Sequence, residues 1–292
     1  MLLATFNGER YLNQQIESIK NQSNVDTLVL ASDDCSTDRT LQLLNKTITN
    51  DSHFKLLPIQ KLGGAAANFF RLLLDADYSN ADYIALSDQD DIWHSDKLSH
   101  AIRELQERNI DAYSSNVTAF WPNGKKRLIN KAQLQQKWDY MFESAGPGCT
   151  FVFTKNFALA IQQFLRENQE VTKKIALHDW FIYAFARSRG YKWFIDTTSC
   201  VLYRQHDGNV VGANEGFKAK LNRWKMLREG WLVNQALLLA KILNYEDVWP
   251  ILKLQRYHFV DRLALISNII KLRRRWRDCF AFALFLLLPL KK

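Results

Sequence analysis

Cysteine is scarce in this 292-residue sequence, and the four present, Cys35, Cys149, Cys200 and Cys279, stand far apart with no C-x-x-C pair. That spacing offers neither a disulfide framework nor a zinc site and suits a reducing, cytoplasmic setting. Long apolar runs are missing as well. The longest, residues 280–290, contains Pro289 and falls well short of the roughly 20 residues needed to span a bilayer. The opening Met1-Leu2-Leu3-Ala4-Thr5 has no charged start and leads to no cleavage site, so a secretory signal is not expected. Two glycine-rich phosphate motifs are also absent. Without G-x-G-x-x-G a dinucleotide-binding dehydrogenase is unsupported, and without G-x-x-x-x-G-K-[ST] so is a P-loop enzyme.

What is present is apolar bulk and uneven charge. A 47% hydrophobic composition with nine Trp and 18 Phe supplies a substantial core. The formal charge is +9, yet residues 1–210 hold 23 Lys plus Arg against 24 Asp plus Glu, while residues 211–292 hold 16 against 6. This asymmetry suggests an N-terminal part that does chemistry and a C-terminal part that meets an anionic surface. Nucleic acid is a poor candidate for that surface, because the charge accompanies an apolar run instead of interleaved aromatic and polar groups.

The first hundred residues alternate short apolar segments with helical patterns, as a parallel sheet with crossover helices requires. Strands are expected at 2–5, 27–31, 54–57 and 83–86, with helices at 9–21, 39–45, 65–76 and 95–108. Beyond them 112–120 reads as one extended stretch, Trp121-Pro122-Asn123-Gly124 as a turn, and 150–153 and 191–203 as further strand. A helix is expected over 180–188, and helical patterns dominate from 217 to the end, including a basic amphipathic segment over 218–228.

Three loops follow strands in this pattern, where open parallel sheets collect ligands. The third, Ser87-Asp88-Gln89-Asp90-Asp91-Ile92-Trp93, crowds three carboxylates into four positions. In extended backbone Asp88 and Asp90 point the same way and Asp91 faces the other side, so the first two can share a hard divalent cation. The alternative is a polar turn with a helix cap after it.

In order and spacing, Thr5-Phe6-Asn7-Gly8, Asp33-Asp34-Cys35-Ser36-Thr37-Asp38-Arg39-Thr40 and the acidic loop resemble the nucleotide-sugar half of family 2 glycosyltransferases with the GT-A fold. Gly148-Cys149-Thr150, His178-Asp179-Trp180 and Tyr203-Arg204-Gln205-His206 with Asn209 and Gly212 extend the similarity to about residue 215, toward the rhamnosyltransferase-like bacterial branch that builds cell-surface polysaccharides. The resemblance implies an α/β fold, a Rossmann-like mixed sheet with helices on both faces. It would cover residues 1–214, with a nucleotide-sugar half to about 110 and an acceptor half after it, followed by a helical basic extension over 215–292. It places Thr5, Asn7, Asp33, Asp34, Asp88 and Arg204 at the donor, Asp88, Asp90 and His206 around Mg²⁺ or Mn²⁺, and Asp179 as general base. Asp179 as a simple helix cap is the competing reading. Ala67 departs from the pattern, since relatives often carry a basic residue there.

The implied activity is inverting, metal-dependent transfer of a sugar, foremost L-rhamnose from dTDP-rhamnose, to a saccharide or polyprenyl-diphosphate-linked acceptor. A UDP-hexose donor, or a catalytically silent scaffold subunit of a polysaccharide assembly complex, are the alternatives. Lys271, Arg273, Arg274, Arg275 and Arg277, followed by the apolar run and Lys291-Lys292, suit a helix lying on an anionic membrane. The enzyme would then sit peripherally on the inner face of the cell membrane. The alternative is a C-terminal helix buried against its own domain or a partner.

Overall fold

The computed structural model of the chain describes residues 1–206 and 229–288. The basic segment expected over 218–228, Asn209, Gly212, the expected boundary after residue 214 and the closing Lys291-Lys292 lie outside the described residues.

Strands and helices alternate at the start: β1 (Leu2–Thr5), α1 (Leu12–Lys20), β2 (Val29–Asp33), α2 (Thr40–Asn50), β3 (Phe54–Leu56), α3 (Ala65–Asp75), β4 (Tyr83–Ser87), β5 (Ile92–Trp93) and α4 (Lys97–Arg108). Then come β6 (Ala112–Ser115), β7 (Val117–Phe120), β8 (Lys126–Ile129), β9 (Val152–Thr154), α5 (Lys155–Glu167), α6 (Gln169–Thr172), α7 (His178–Ser188), β10 (Trp193–Asp196) and β11 (Val201–Arg204). The C-terminal part holds α8 (Trp231–Leu243), α9 (Trp249–Arg256), α10 (Phe259–Ser267) and α11 (Trp276–Leu287).

The main sheet has seven strands in the order β10-β6-β9-β4-β1-β2-β3, and a smaller sheet has the order β5-β11-β7-β8. Strands β4, β1, β2 and β3 are parallel, while β9 runs antiparallel to both β4 and β6, so the expected mixed sheet is present. Short strands of apolar residues hold here because both faces are covered. Leu2, Ala4, Ile84 and Leu86 face a core built with Phe69, Leu72, Phe157, Phe181 and Phe185. Their neighbours Leu3 and Ala85 face the opposite core with Leu12, Ile16, Leu98 and Leu105. Successive strand residues alternate sides, and that alternation sorts one strand between two helical layers.

The stretch 112–120 differs from expectation: it is two strands in different sheets, broken at Asn116. The buried Asn116 side chain donates to the Thr197 carbonyl at 2.9 Å and accepts from the Lys131 and Ala132 N–H groups at 2.6 and 3.1 Å. An amide side chain supplies there the hydrogen bonds that a continuous ladder would have made.

The C-terminal helices share the larger core through Val233, Leu239, Ile251, Leu265, Leu272, Phe282, Phe285 and Leu286. Among the described residues no helix is long and apolar enough to cross a membrane. The arginine cluster is only partly a surface feature, which corrects the reading of it as one basic patch. Arg274 is buried, its guanidinium 3.0 Å from Asp139 Oδ2 and donating to the Ser144 carbonyl at 2.6 Å. Its backbone N–H donates to Glu143 at 2.7 Å, and Arg273 donates to the Phe142 carbonyl at 2.5 Å. Tyr183 donates to Asp139 at 2.9 Å and Arg187 lies 3.2 Å from it, so this fully buried carboxylate is surrounded by donors. Truncating one partner strands a buried charge. Arg274→Ala should therefore lower the unfolding free energy by about 3–5 kcal/mol in urea titrations, with the Asp139→Leu/Arg274→Met pair recovering much of it. A loss below about 1 kcal/mol would mean that the pair does not hold the C-terminal helices in place.

Candidate active site

Strand register brings the three loops together. Thr5 lies opposite Asp33 and Leu3 opposite Ser87, so the segments after β1, β2 and β4 leave the sheet side by side. They then interlock. Gln89 receives the Phe6 N–H and donates to the Phe6 carbonyl, each at 2.8 Å, and so bonds the acidic loop to the first loop like one rung of a strand pair. Asn7 accepts from the Thr37 N–H at 2.8 Å, with its own N–H on Ser36 Oγ at 2.8 Å. Asn7 has φ 47°, in the left-handed region that Asn tolerates better than most residues. Gly8 leaves space for Gln89, whose amide oxygen a Cβ at Gly8 would strike.

The expected donor residues bind one another first. Asp33 is fully buried and accepts from Thr5 Oγ1, the Ser36 N–H and Ser36 Oγ, all at 2.7 Å. This corrects the expectation that Asp33 and Thr5 face a ligand: their side chains fix the loop from within. Asp34 receives the N–H groups of Leu62, Gly63 and Gly64. Asp34 thereby pins, from another loop, the turn that leads into α3, which begins at Ala65. The Gly63 N–H is shared by both oxygens at 3.0 Å, so the three donors engage each oxygen of Asp34 twice.

Strand β4 stops at Ser87, and residues 88–91 form a loop, so the alternation expected of extended backbone does not apply. Asp91 consequently turns toward Asp88 instead of away. Oxygens of Asp88 and Asp91 and the Cys149 sulfur lie within 4.8 Å of one another. Asp90 turns to His206, with Oδ2 2.7 Å from Nε2. Burial pushes the Asp88 carboxyl well above its ordinary range, with the charges of Asp91, Asp90 and Asp179 adding to the shift. Burial, then Asp90, pushes Asp91 up to about 7. Asp91 Oδ1 accepts the Arg204 N–H at 3.1 Å, whereas the buried Oδ2 has no hydrogen-bond partner. A buried carboxylate oxygen without a donor, among carboxylates that oppose each other's ionisation, fits a divalent cation as the absent counter-charge. Asp88 and Asp91 would hold such an ion, with the Asp90–His206 pair in the same loop region as further candidate ligands. The Cys149 thiol, which burial raises well above its usual value, stays protonated beside them.

Arg204 braces this loop. Its Nε donates to the Asp90 carbonyl at 2.7 Å, one terminal nitrogen donates to Gln14 at 2.5 Å, and its plane lies 4.3 and 4.6 Å from the Tyr11 and Phe120 rings. Below it, Lys97 is buried with Nζ 3.2 Å from the Trp93 ring centroid, and burial lowers its pKa to about 7. Trp93 is thus packing, as its apolar setting suggests.

Asp179 lies in the first turn of α7, one residue inside the helix, and accepts the Trp180 N–H at 2.7 Å. Burial pushes it up to about 6, against the pull of that N–H, the Lys131 charge and the Ser144 hydroxyl. Its charge reaches Asp88, which puts the expected base across from the expected metal end. His178 stacks on Phe69 at 4.0 Å, and burial lowers its pKa to about 3, keeping the imidazole neutral. Gln89, Lys97, Cys149 and Ser144 are members of the site that sequence reasoning did not single out. Gln89 and Cys149 carried a signal, through the acidic-loop and Gly148-Cys149-Thr150 matches.

Comparison with known proteins gives the family and the fold. The family model described as Glycosyl transferase family 2 matches residues 2–207. The dTDP-rhamnosyl transferase RfbG of Shigella flexneri is 43% identical over 288 residues, 98% of this chain and 99% of that protein. A UDP-Glc:alpha-D-GlcNAc-diphosphoundecaprenol beta-1,3-glucosyltransferase, WfgD of Escherichia coli, is 28% identical over 52% of this chain and 58% of its own length. Among solved structures, S. aureus TarS 1-349 in complex with UDP-GlcNAc shares the fold at TM-score 0.54 and 15% identity, covering 84% of this chain and 71% of that one. The mannosyltransferase PcManGT from Pyrobaculum calidifontis, in complex with GDP-Man and Mn2+, does so at TM-score 0.54 and 15% identity, covering 98% and 83%. The mixed sheet and its helices match these GT-A structures.

The raised carboxyl of Asp91 has a measurable consequence. The unfolded chain loses that proton near 3.8 and the folded one near about 7, so stability conferred by the protonated acid is lost as pH rises between those values. In thermal scans without metal, Asp91→Asn should flatten the decline in melting temperature over that window. With Mn²⁺ present it should give less than half the wild-type rise in melting temperature; an undiminished rise would remove Asp91 from the ion's surroundings.

Proposed function

The chain belongs to glycosyl transferase family 2 and is a glycosyltransferase, and we propose that it transfers L-rhamnose from dTDP-rhamnose, with inversion, to an acceptor in cell-surface polysaccharide synthesis. The observation that carries the donor is the 43% identity to a dTDP-rhamnosyl transferase over 98% of this chain. The observation that supports the chemistry is Asp179, a half-buried carboxyl whose charge reaches the acidic loop.

In this reading residues 1–110 hold the nucleotide, with Asp34 and the backbone of residues 62–64 beside the base, and residues 111–214 receive the acceptor. Asp88, Asp91, Asp90 and His206 would hold Mg²⁺ or Mn²⁺, which when bound offsets the diphosphate charge and acts as Lewis acid at the leaving oxygen. Arg204 keeps the acidic loop in place by holding its backbone. Asp179 takes the proton of the acceptor hydroxyl as that oxygen bonds to C1 and the bond from C1 to the diphosphate oxygen breaks. One half-buried carboxylate suffices, because a pKa of about 6 leaves it ionised at neutral pH yet basic enough to accept a proton. Attack from the opposite face of a β-linked donor gives an α-glycoside. The acceptor is a saccharide or a polyprenyl-diphosphate-linked saccharide, reached from the inner face of the cell membrane. A UDP-hexose donor is the second reading, supported by the UDP-Glc named for the Escherichia coli relative.

Donor hydrolysis with Mn²⁺ across dTDP-rhamnose, UDP-glucose and UDP-GlcNAc tests the donor: turnover with dTDP-rhamnose at least tenfold above the others is expected, and a preference for a UDP-sugar would replace the reading. Asp179→Asn should lower kcat by about 10²–10⁴-fold at nearly unchanged donor affinity. The wild-type rate should rise with pH through about 6, as the base must be ionised, and that limb should vanish in the variant. Near-normal transfer by Asp179→Asn would rule it out as base.

A further inference from the structure

Half of the large apolar side chains exposed among the described residues fall between 259 and 287. In α11 they form one stripe. Trp276, Phe280, Leu284 and Leu287 recur at four-, four- and three-residue spacing and share an arc of about 80° on the helix, given 3.6 residues per turn. Trp276 is 76% and Phe280 63% exposed, unusual values for aromatic side chains with an intact core one turn away. The opposite face, Cys279, Phe282, Phe285 and Leu286, is buried in that core. Arg262 of α10 donates to the carbonyls of Leu286, Leu287 and Leu288, which sets the first turns of α10 beside the end of α11. Those turns expose Phe259, Val260 and Leu263.

We propose that this outer face of α10 and α11 is the surface that rests on an anionic lipid bilayer, with Trp276 and Phe280 entering the headgroup boundary. The inference rests on the reading that the enzyme works at the membrane, and it names the contact. Charge selects this occupant over a second copy of the chain. Exposed Arg277 borders the stripe next to Trp276, exposed Lys271 lies five residues before Trp276, and exposed Arg256, 3.7 Å from Asp261, precedes α10. The nearby acids are already matched, Asp278 to Arg275 at 3.3 Å and Asp261 to Lys253 at 2.8 Å. A twofold interface would set one cationic patch against another with the nearby acids already paired, whereas anionic headgroups complement the cations and aromatic rings favour the same depth. A 12-residue helix is about 18 Å long against a hydrocarbon core of about 30 Å, so it lies in the interface and does not span.

The test uses the full chain with vesicles of phosphatidylglycerol and phosphatidylcholine, compared with phosphatidylcholine alone. Wild type should co-float with the anionic vesicles and not with the neutral ones. Trp276→Ser/Phe280→Ser should bind them at least tenfold more weakly, with donor hydrolysis and circular dichroism unchanged because both side chains are already outside the core. Arg277→Glu/Lys271→Glu should lose binding in the same way. Brominated lipid should quench wild-type fluorescence more than that of Trp276→Phe. If wild type ignores anionic vesicles, the membrane reading itself fails. If wild type binds and both double variants bind equally well, the membrane reading stands and this face is the wrong one. A wild-type dimer in sedimentation that Trp276→Ser/Phe280→Ser converts to monomer would assign the stripe to a second copy and overturn the proposal.

Discussion

Negative charge gathered where water is scarce is the constraint around which this molecule is arranged. The charges of Asp91, Asp90 and Asp179 raise the cost of ionising Asp88, that of Asp90 does the same at Asp91, and desolvation penalises Asp88, Asp91 and Asp179 together. Carboxylates in that state would relax outward if their loops allowed it. The loops do not. Gln89 ties the acidic turn to Phe6, Arg204 grips its backbone from β11, and Lys97 sits beneath it on the Trp93 ring. The fold spends polar contacts to keep a site short of positive charge, and a cationic cofactor with a diphosphate is the chemistry that such a deficit suits.

The donor side shows the same economy. Asp33 and Asp34, adjacent in sequence, act through opposite sides of their loop. Asp33 looks inward to Thr5 and Ser36, and Asp34 looks across to the backbone that starts α3. Gly64, at φ 148°, takes a backbone conformation that side chains rarely adopt, and the turn so formed turns its N–H groups to Asp34. Recognition would then depend on backbone N–H groups whose positions are set by one carboxylate.

Much of the sheet could be read directly because its signals are local. Strands Leu2–Thr5 and Tyr83–Ser87 carry apolar residues on both faces and end at polar loops, and α1, α3 and α4 show helical spacing. The loop motifs placed Asp88, Asp90, Asp179 and His206 in one region. What escaped were contacts set by tertiary geometry. Gln89 meets Phe6 across 83 positions of sequence, and nothing in either residue announces the pairing. Asp91 was assigned a direction from strand alternation that a loop does not obey. Asn116 breaks an apparently continuous strand because its amide replaces main-chain partners. Arg273 and Arg274 looked like surface charge, since sequence shows a cation without showing Asp139 and the carbonyls of residues 142 and 144 that surround it.

The double attachment of α11 has a mechanical meaning. Phe282, Phe285 and Leu286 anchor it to the core, and the arginines just before it grip the segment that carries Ser144, whose hydroxyl meets Asp179. The helix therefore cannot swing away from the domain without disturbing the surroundings of Asp179, the proposed base. Whatever it rests on, the catalytic opening stands at a set height and tilt above that support, like a stylus on a fixed arm. An acceptor tethered to the same support would be selected by length, because only a hydroxyl at the matching height comes within reach of Asp179.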